Sequence, residues 1–491
     1  MKGLARFGGV AVLREPTFRR YYIASALESA GAALTAIALP LVVFDRTRSA
    51  STTALVPALQ VAPTLLFGLV AGAIADRLHR RTVMIAAAVA AALALVGVVV
   101  GGAFVPGALA CAAVVFTATV FFESAEFAAV PAMVGRDGVV EAQTLLQTTN
   151  RLAMVVLPAT AAGLYGLTGP APLFLADAVI FAVSAALMTT VPGSRLESPG
   201  RERRLTRLAA DIGDGLAYLW RHRLIRSLAV IGTFNAIAGG AVAGILVVFA
   251  DRAFAIHPGN PALGAFYVAA SVGSLLGGAS LPVLRQRFRV VTVTLMSLVV
   301  STLLMGLLAV TPVFVAAVVL YGLWQGVYGL IINNGQTLRM QILPDEYQSR
   351  VGTAARMLGW GGAPVGALLA GFVADRVPVR WVLLIAVSAL LIGVVLATRA
   401  RGLLADVDPA ASRPVRWAPA ALRGVPVEAA TALAVDVAAT LALETATALA
   451  SRVGLGPVRA GPSTLARHRA AEPGPTRFAR LGPDGRHHRP P

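Results

Sequence analysis

"GAIADRLHRR", residues 72–81, separates two long apolar runs. Upstream, Ala54–Ala71 holds one strongly polar side chain, Gln60, and downstream Val83–Val100 holds none. Between them an acid, a histidine and three arginines crowd into a few residues. Each flanking run is close to the roughly 20 residues that a helix needs to cross a bilayer. A knot of charge between two such runs reads as a short loop at a membrane surface. From that loop the chain can be followed outward in both directions as span, loop and span.

The composition agrees with this start. Hydrophobic residues make up 57% of the 491 residues and charged residues 13%, against about 25% charged in a typical soluble protein. Glycine is spread through the apolar stretches, as transmembrane helices tolerate. Twelve segments read as spans: 21–44, 54–75, 83–103, 108–130, 143–167, 171–191, 227–250, 262–284, 290–310, 312–332, 353–374 and 380–398. The longest polar interruption, Pro192–Arg226, divides them six and six. The expected organisation is an all-α membrane protein. Residues 1–191 form an N-terminal six-helix bundle, 192–226 a linker, 227–401 a C-terminal six-helix bundle and 402–491 a largely disordered tail.

Arginine in short loops sets the expected orientation. With the N-terminus in the cytoplasm, the inner side receives Lys2, Arg6, Arg14, Arg19, Arg20, Arg77, Arg80, Arg81, Arg136, the cluster from Arg195 to Arg226, Arg285, Arg287, Arg289, Arg339 and Arg350. The outer side receives only Arg46, Arg48, Arg252, Arg376 and Arg380. Both termini are then cytoplasmic, and most of the +18 net charge meets anionic lipid headgroups and needs no nucleic acid. No cleavable signal precedes the first span, since Lys2–Arg20 is charged and lacks an apolar h-region. Cys111, the one cysteine, has no disulfide or metal partner in sequence. In the tail, Glu428, Asp436 and Glu444 argue against a thirteenth span, and His487–His488 reads as solvated chain rather than a metal site. No Walker A pattern, no H-E-x-x-H and no nucleophile elbow occurs, so an ATP-driven pump and an enzyme are both poor readings.

Six plus six helices around a charged linker suggest a secondary transporter with its ligand site near mid-membrane between the halves. The opening decapeptide resembles the loop signature between the second and third helices of the major facilitator superfamily, approximately G-x-L-A-D-R-x-G-R-R/K. Gly72, Ile74, Ala75, Asp76, Arg77, Arg80 and Arg81 match or nearly match, and His79 stands where the family has glycine. Phe18–Val43, Asp211–Leu228 and Asn333–Arg376 resemble the first helix, the linker and the tenth-to-eleventh helix region of the enterobactin-exporter and macrolide-efflux branch. The resemblance covers about residues 14–400 and stops before the tail. It implies that Asp76, with Arg77, Arg80 and Arg81, latches onto the eleventh helix as a cytoplasmic gate, with Gly72 allowing close contact.

Ionisable groups within a span cost about 2.5–3.5 kcal/mol each on insertion scales and call for a reason. Glu28 lies about 12 Å into the first helix, Glu123 at a similar depth in the fourth and Arg151 about 13 Å into the fifth, at 1.5 Å per residue. Glu126 shares the face of Glu123, one turn on. Two acids beside one guanidinium can hold an exchangeable proton, so Glu28, Glu123, Glu126 and Arg151 are the proton-coupling candidates; a static buried salt bridge is the alternative. Two departures from the branch stand out. Gly31 is followed by Ala32 instead of an acid, and Met154–Gly163 keeps Pro158 but few of the antiporter glycines. Asp177 reads as structural. Asn150, Asn235, Tyr321, Trp324 and Gln325 are substrate-cavity candidates, with Tyr328 and Asn333 beside them.

The expected function is export of a small amphiphilic molecule (drug, siderophore or metabolite) by proton antiport and alternating access. The expected protein is a monomeric, multi-pass component of the cytoplasmic membrane, without metal or cofactor, whose partners are substrate, protons and lipid. An importer or facilitator on the same fold is the nearest rival, and a non-transporting sensor or assembly protein the more distant one.

Overall fold

A computed structural model describes residues 12–101, 104–196, 205–288, 290–343 and 345–400. The described chain is helical, with no strand among the described residues. In order the helices are α1 (Pro16–Thr47), α2 (Ala50–Arg77), α3 (Arg80–Val100), α4 (Val105–Thr168), α5 (Pro170–Thr189), α6 (Leu205–Arg221), α7 (Arg223–Phe254), α8 (Ala262–Arg287), α9 (Val290–Val310), α10 (Phe314–Ile342), α11 (Asp345–Ala374) and α12 (Val379–Arg399). Eleven segments in the described residues are long and apolar enough to cross a membrane.

Local chemistry sets the boundaries. Pro16 stands in the first turn of α1, where its missing N–H costs nothing. Arg48 ends α1 in a left-handed conformation (φ 51°), and Ser49 then caps α2 by accepting a hydrogen bond from the Thr52 N–H. His222 caps α7 in the same way, its ring accepting from the Ile225 N–H.

Two features depart from the sequence reading. The spans expected at 108–130 and 143–167 fall in two helical arms that meet directly at Gly135 (φ 69°, ψ 176°) and are labelled together as α4. A loop of a dozen residues was expected there; one glycine able to adopt positive φ turns the chain instead. The second arm, 136–168, contains the expected fifth span but is not one of the eleven segments that meet the length and hydropathy test. The linker also contains a helix, α6. Its Leu219 packs with Ile225, Ala229, Leu343, Val351, Ala354 and Ala355, while Leu216 and Trp220 face outward. The tail, with His487 and His488, lies outside the described residues.

The helices pack in two sets. Helices α1 to α5 pack on one another, and α7 packs on α11 and α12, α8 on α10, and α9 on α10 and α12. The sets meet where α2 packs on α11 and α7, and where α4 packs on α8. Glycine lets backbones touch within and between the sets. A Cβ on Gly240 of α7 would lie 1.9 Å from the Ala363 carbonyl oxygen of α11, and one on Gly273 of α8 would lie 1.8 Å from that of Gly322 in α10. Small residues at helix contacts are how membrane helices gain packing when lipid offers no hydrophobic drive to associate. Leu66, Leu93, Val100, Val179 and Leu303 are exposed on the outside, as lipid-facing residues must be.

Candidate functional site

The interior of the first set is acidic. Glu28 on α1 is 2% exposed and lies within electrostatic reach of Glu123 and Glu126 on the first arm of α4 and of Asp177 on α5. Asp177, read as structural, joins them from a third helix. Its seat is made by glycine: a Cβ on Gly31 would lie 2.8 Å from Asp177 Oδ1 and 2.6 Å from the Phe181 ring. The Thr35 hydroxyl donates to Asp177 Oδ2 at 2.5 Å. Glu28, Gly31 and Thr35 repeat at i, i+3 and i+7 and so share one face of α1.

This cluster has spare hydrogen-bonding capacity. Glu28 Oε1, Asp177 Oδ1, Ser25 Oγ and Thr119 Oγ1 are buried without a hydrogen bond of good geometry among the described residues, although Thr119 lies near Glu28 and Ser25 near Glu126 and Tyr21. Buried polar atoms are normally paired, so an under-satisfied group of this size asks for a functional account. The hydroxyl of Tyr21 donates to the Glu126 carbonyl at 3.1 Å, and that of Tyr22 lies 2.5 Å from Thr149 Oγ1. Those bonds hold α1 against both arms of α4. Asn150, next to Thr149, is half-buried, and the Arg151 side chain lies outside the described residues. What the arrangement can do chemically is hold and release a proton on an acid kept away from water.

The second set offers aromatic surface. Phe266, Tyr321, Trp324 and Tyr328 form a continuous column: Phe266–Tyr321 edge-to-face at 5.6 Å, Tyr321–Trp324 stacked at 6.0 Å and Trp324–Tyr328 stacked at 5.3 Å. Tyr321 and Trp324 are both buried in it, at 4% and 1% exposed, and Gln325 is half-buried. Tyr328 packs directly onto Gly239 of α7, where a Cβ would meet its ring at 2.6 Å. Asn235, one turn earlier on that face of α7, is fully buried with neither amide atom paired among the described residues. The structure therefore brings Asn235, Tyr321, Trp324 and Gln325 into the second set and leaves Asn150 in the first.

In the charged loop of residues 72–81 the arginines with described side chains bond locally. Arg80 donates to the carbonyls of Ala128 (2.9 Å) and Leu196 (2.8 Å), and Arg81 to those of Met188 (3.2 Å) and Thr189. Every one of those carbonyls belongs to the first set or to the turn that follows it. The side chains of Asp76 and Arg77 lie outside the described residues, and a Cβ on Gly72 would meet nothing within 4 Å.

A cross-set fastening exists at the other end of α2. Asp375, just past the C-terminus of α11, accepts hydrogen bonds from the N–H groups of Ala50 (2.7 Å) and Ser51 (2.9 Å) and from the hydroxyls of Ser49 (3.1 Å) and Ser51 (2.6 Å). Burial alone would push this carboxyl up, but the hydrogen bonds from Ser51, Ala50 and Ser49 hold it down at about 2. Arg252 of α7 donates to the Ala374 carbonyl (2.5 Å), the Arg48 carbonyl (3.2 Å) and Asp375 (3.4 Å). Arg48 pairs with Asp251 at 3.4 Å and Asp45 at 3.0 Å. Sequence reading passed over these residues, although a signal was present: Gly371–Arg376, "GFVADR", repeats the G-x-[I/V]-A-D-R pattern of Gly72–Arg77.

Helices in two packed sets, with eleven segments among the described residues long and apolar enough to cross a membrane and a fastening between the sets, are the architecture of a multi-pass membrane protein. The sequence profile of the transmembrane secretion effector family, within the major facilitator superfamily, matches residues 7–436, and the chain belongs to that family. It is similar to the multidrug efflux pump Tap of Mycolicibacterium fortuitum, 25% identical over 377 residues that cover 74% of this chain and 91% of the pump. It is likewise similar to the enterobactin exporter EntS of Salmonella typhimurium, 25% identical over 361 residues covering 72% of this chain and 85% of the exporter. Among solved structures it shares the fold of a bacterial homologue of the human lysosomal transporter Spinster in an inward-facing, unoccupied conformation. That match has a TM-score of 0.65 at 13% identity and covers 80% of this chain and 98% of the other. The nucleoside transporter NupG matches with a TM-score of 0.63 at 16% identity, over 80% and 100% of the two chains.

Proposed function

We propose that this protein exports small amphiphilic molecules from the cytoplasm in exchange for protons, by alternating access between two six-helix halves. The observation that carries the reading is Glu28: an acid 2% exposed, with Oε1 lacking a hydrogen bond of good geometry among the described residues, facing Glu123, Glu126 and Asp177. Isolated charge inside a membrane is rare and marks ion or substrate pathways, proton relays included. In this reading Glu28 takes up the proton, Glu123 and Glu126 tune its release, and Arg151 balances the negative form. Asn235 and the aromatic column beside it supply the half of the site that faces an amphiphile, with Asn150 a further contact from the first half. The export direction is supported by the likeness to a multidrug efflux pump and an enterobactin exporter.

The halves in this proposal are residues 1–191 and 227–401, with 192–226 a cytoplasmic linker and 402–491 a cytoplasmic tail. The arginine bias places both termini in the cytoplasm of a bacterial cytoplasmic membrane, so the Ser49–Asp375 end faces out and the His79 end faces in. A monomer in contact with anionic lipid is sufficient for this mechanism.

Everted vesicles carrying a pH-sensitive dye and an inward-acid gradient test the reading. Addition of lipophilic cations, macrolides or catecholate siderophores is expected to trigger proton release with the unsubstituted protein and none with Glu28→Gln at equal expression. Substrate-driven release that survives Glu28→Gln would remove Glu28 from the mechanism.

A further inference from the structure

The two G-x-[I/V]-A-D-R segments sit at opposite ends of the α2–α11 pair. α2 begins where α11 finishes, so Gly72–Arg77 closes α2 at one end and Gly371–Arg376 closes α11 at the other. An acid at a helix C-terminus is opposed by the helix's own dipole. Asp375 therefore gains little from α11 itself; what satisfies it belongs to α2. Two free N–H groups of the first turn of α2 and two serine hydroxyls converge on the carboxylate. The helix start is complementary to the acid both in charge and in unsatisfied donors.

The neighbouring residues follow the same division of labour. Arg376 does not pair with Asp375 but folds back over the Phe372 ring, 3.5 Å from its centroid, and donates to the Phe372 carbonyl at 2.7 Å. That capping satisfies the end of α11 and leaves Asp375 available to α2. Gly371 lies one turn earlier against α2, where a Cβ would meet Ala54 Cβ at 2.5 Å and the Ala50 carbonyl oxygen at 2.8 Å. Arg252 then ties α7 to the Ala374 and Arg48 carbonyls. The Asp375 bonds to Ser49, Ala50 and Ser51, the Gly371 approach to α2 and the Arg252 bond to the Arg48 carbonyl cross from one set of helices to the other.

We infer that Asp375 is the positioning residue of a reversible latch, which closes this end of the transporter by capping α2 and must be released for the central site to open here. The contact is suited to release. It is short in sequence, made of hydrogen bonds at the solvent-facing rim, and each group it frees can be taken up by water. A fastening meant to be permanent would extend the apolar helix contact instead. Glu28 and the acid cluster take no part in it.

A probe that needs no substrate tests the latch separately from the export reading. In a Cys111→Ser background, Ala54→Cys places one thiol beneath the latch, at a position fully buried against Gly371. The purified full-length protein in lipid nanodiscs is reacted with a fluorescent maleimide, which reaches both ends. Asp375→Asn is expected to raise the labelling rate at least tenfold and Arg252→Ala by a smaller factor, at temperatures well below thermal unfolding. A residue that merely braces the fold would lower the unfolding temperature and leave the labelling rate as it was; that result overturns the latch. Should Asp375→Asn fail to fold, Ser51→Ala removes the shortest of the four bonds, and an unchanged labelling rate there is equally fatal.

Discussion

The two ends of α2 carry the same kind of chemistry and do opposite things with it. At the Ser49 end, an acid from one half is bonded to the helix start of the other, and Arg252 and Arg48 reinforce the crossing. At the His79 end, Arg80 and Arg81 reach carbonyls of Ala128, Leu196, Met188 and Thr189, all within their own half or the turn that follows it. One end is fastened across the molecule, and the described arginines of the other are fastened to themselves. The acid of Gly371–Arg376 thus acquires its role from what lies opposite it. Where a helix N-terminus is presented, the acid becomes a bridge; where helix C-termini are presented, the arginines become caps, since both termini carry opposite partial charges.

Substitutions can break this contrast, and the steric one is expected to be the largest. Gly371→Val pushes a branched side chain into Ala54 and the Ala50 backbone, and overpacking of this kind costs roughly 1–3 kcal/mol. The Ser49 end should open in most molecules, read as labelling of Ala54→Cys faster than with Asp375→Asn. Closure unaffected by Gly371→Val would show that the helices can slide apart without penalty.

Next in size is Arg80→Ala, because a hydrogen bond from a charged donor is worth about 1.5–3 kcal/mol. It should lower the thermal unfolding midpoint while leaving labelling beneath the latch unchanged. A large rise in that labelling would mean that the two ends are coupled through α2 and are not independent.

Acid gives a third test. The groups around Asp375 are Arg252, Arg48, Ser49 and Ser51, with Asp251, Asp45 and His257 behind them. Asp375 is depressed in the folded protein, so its contribution to closure is complete above the ordinary carboxylate range and fades only as the pH falls through about 2. Spin-label distances between α2 and α11 at this end should therefore stay constant between about pH 5 and pH 8. An end that opens on mild acidification would be governed by another group. His257 meets Asp251 at 2.5 Å but is mostly exposed, so His257→Ala should change stability by less than about 1 kcal/mol. Chemical denaturation of the paired proteins would detect a larger share.

The spans were legible because a bilayer imposes a length and a hydropathy that no side-chain detail can evade. Apolar runs such as Val83–Val100 appear in the structure as helices close to where the sequence places them. The turn between the arms of α4 was not legible, because hydropathy marks polar residues and the chain there pivots on the conformational freedom of Gly135 alone. Nor was α6, whose apolar face is completed only by Leu343, Val351 and Ala354 from distant segments.

The candidate site divides in the same way. An expected depth for Glu28 and Glu123 follows from counting residues at a fixed rise along a helix, which needs no structure. The arrival of Asp177 depends on Gly31 being small enough to seat it, which is a fact about two helices at once. The sequence by itself therefore determined that this chain crosses a membrane many times and which short loops are basic, because each is a property of one segment in a layered solvent. Only the tertiary structure decided what the acid of Gly371–Arg376 is bonded to. An acid's partner is set by the helix end that packing brings within 3 Å of it, and nothing in Gly72–Arg77 or Gly371–Arg376 taken alone specifies that neighbour.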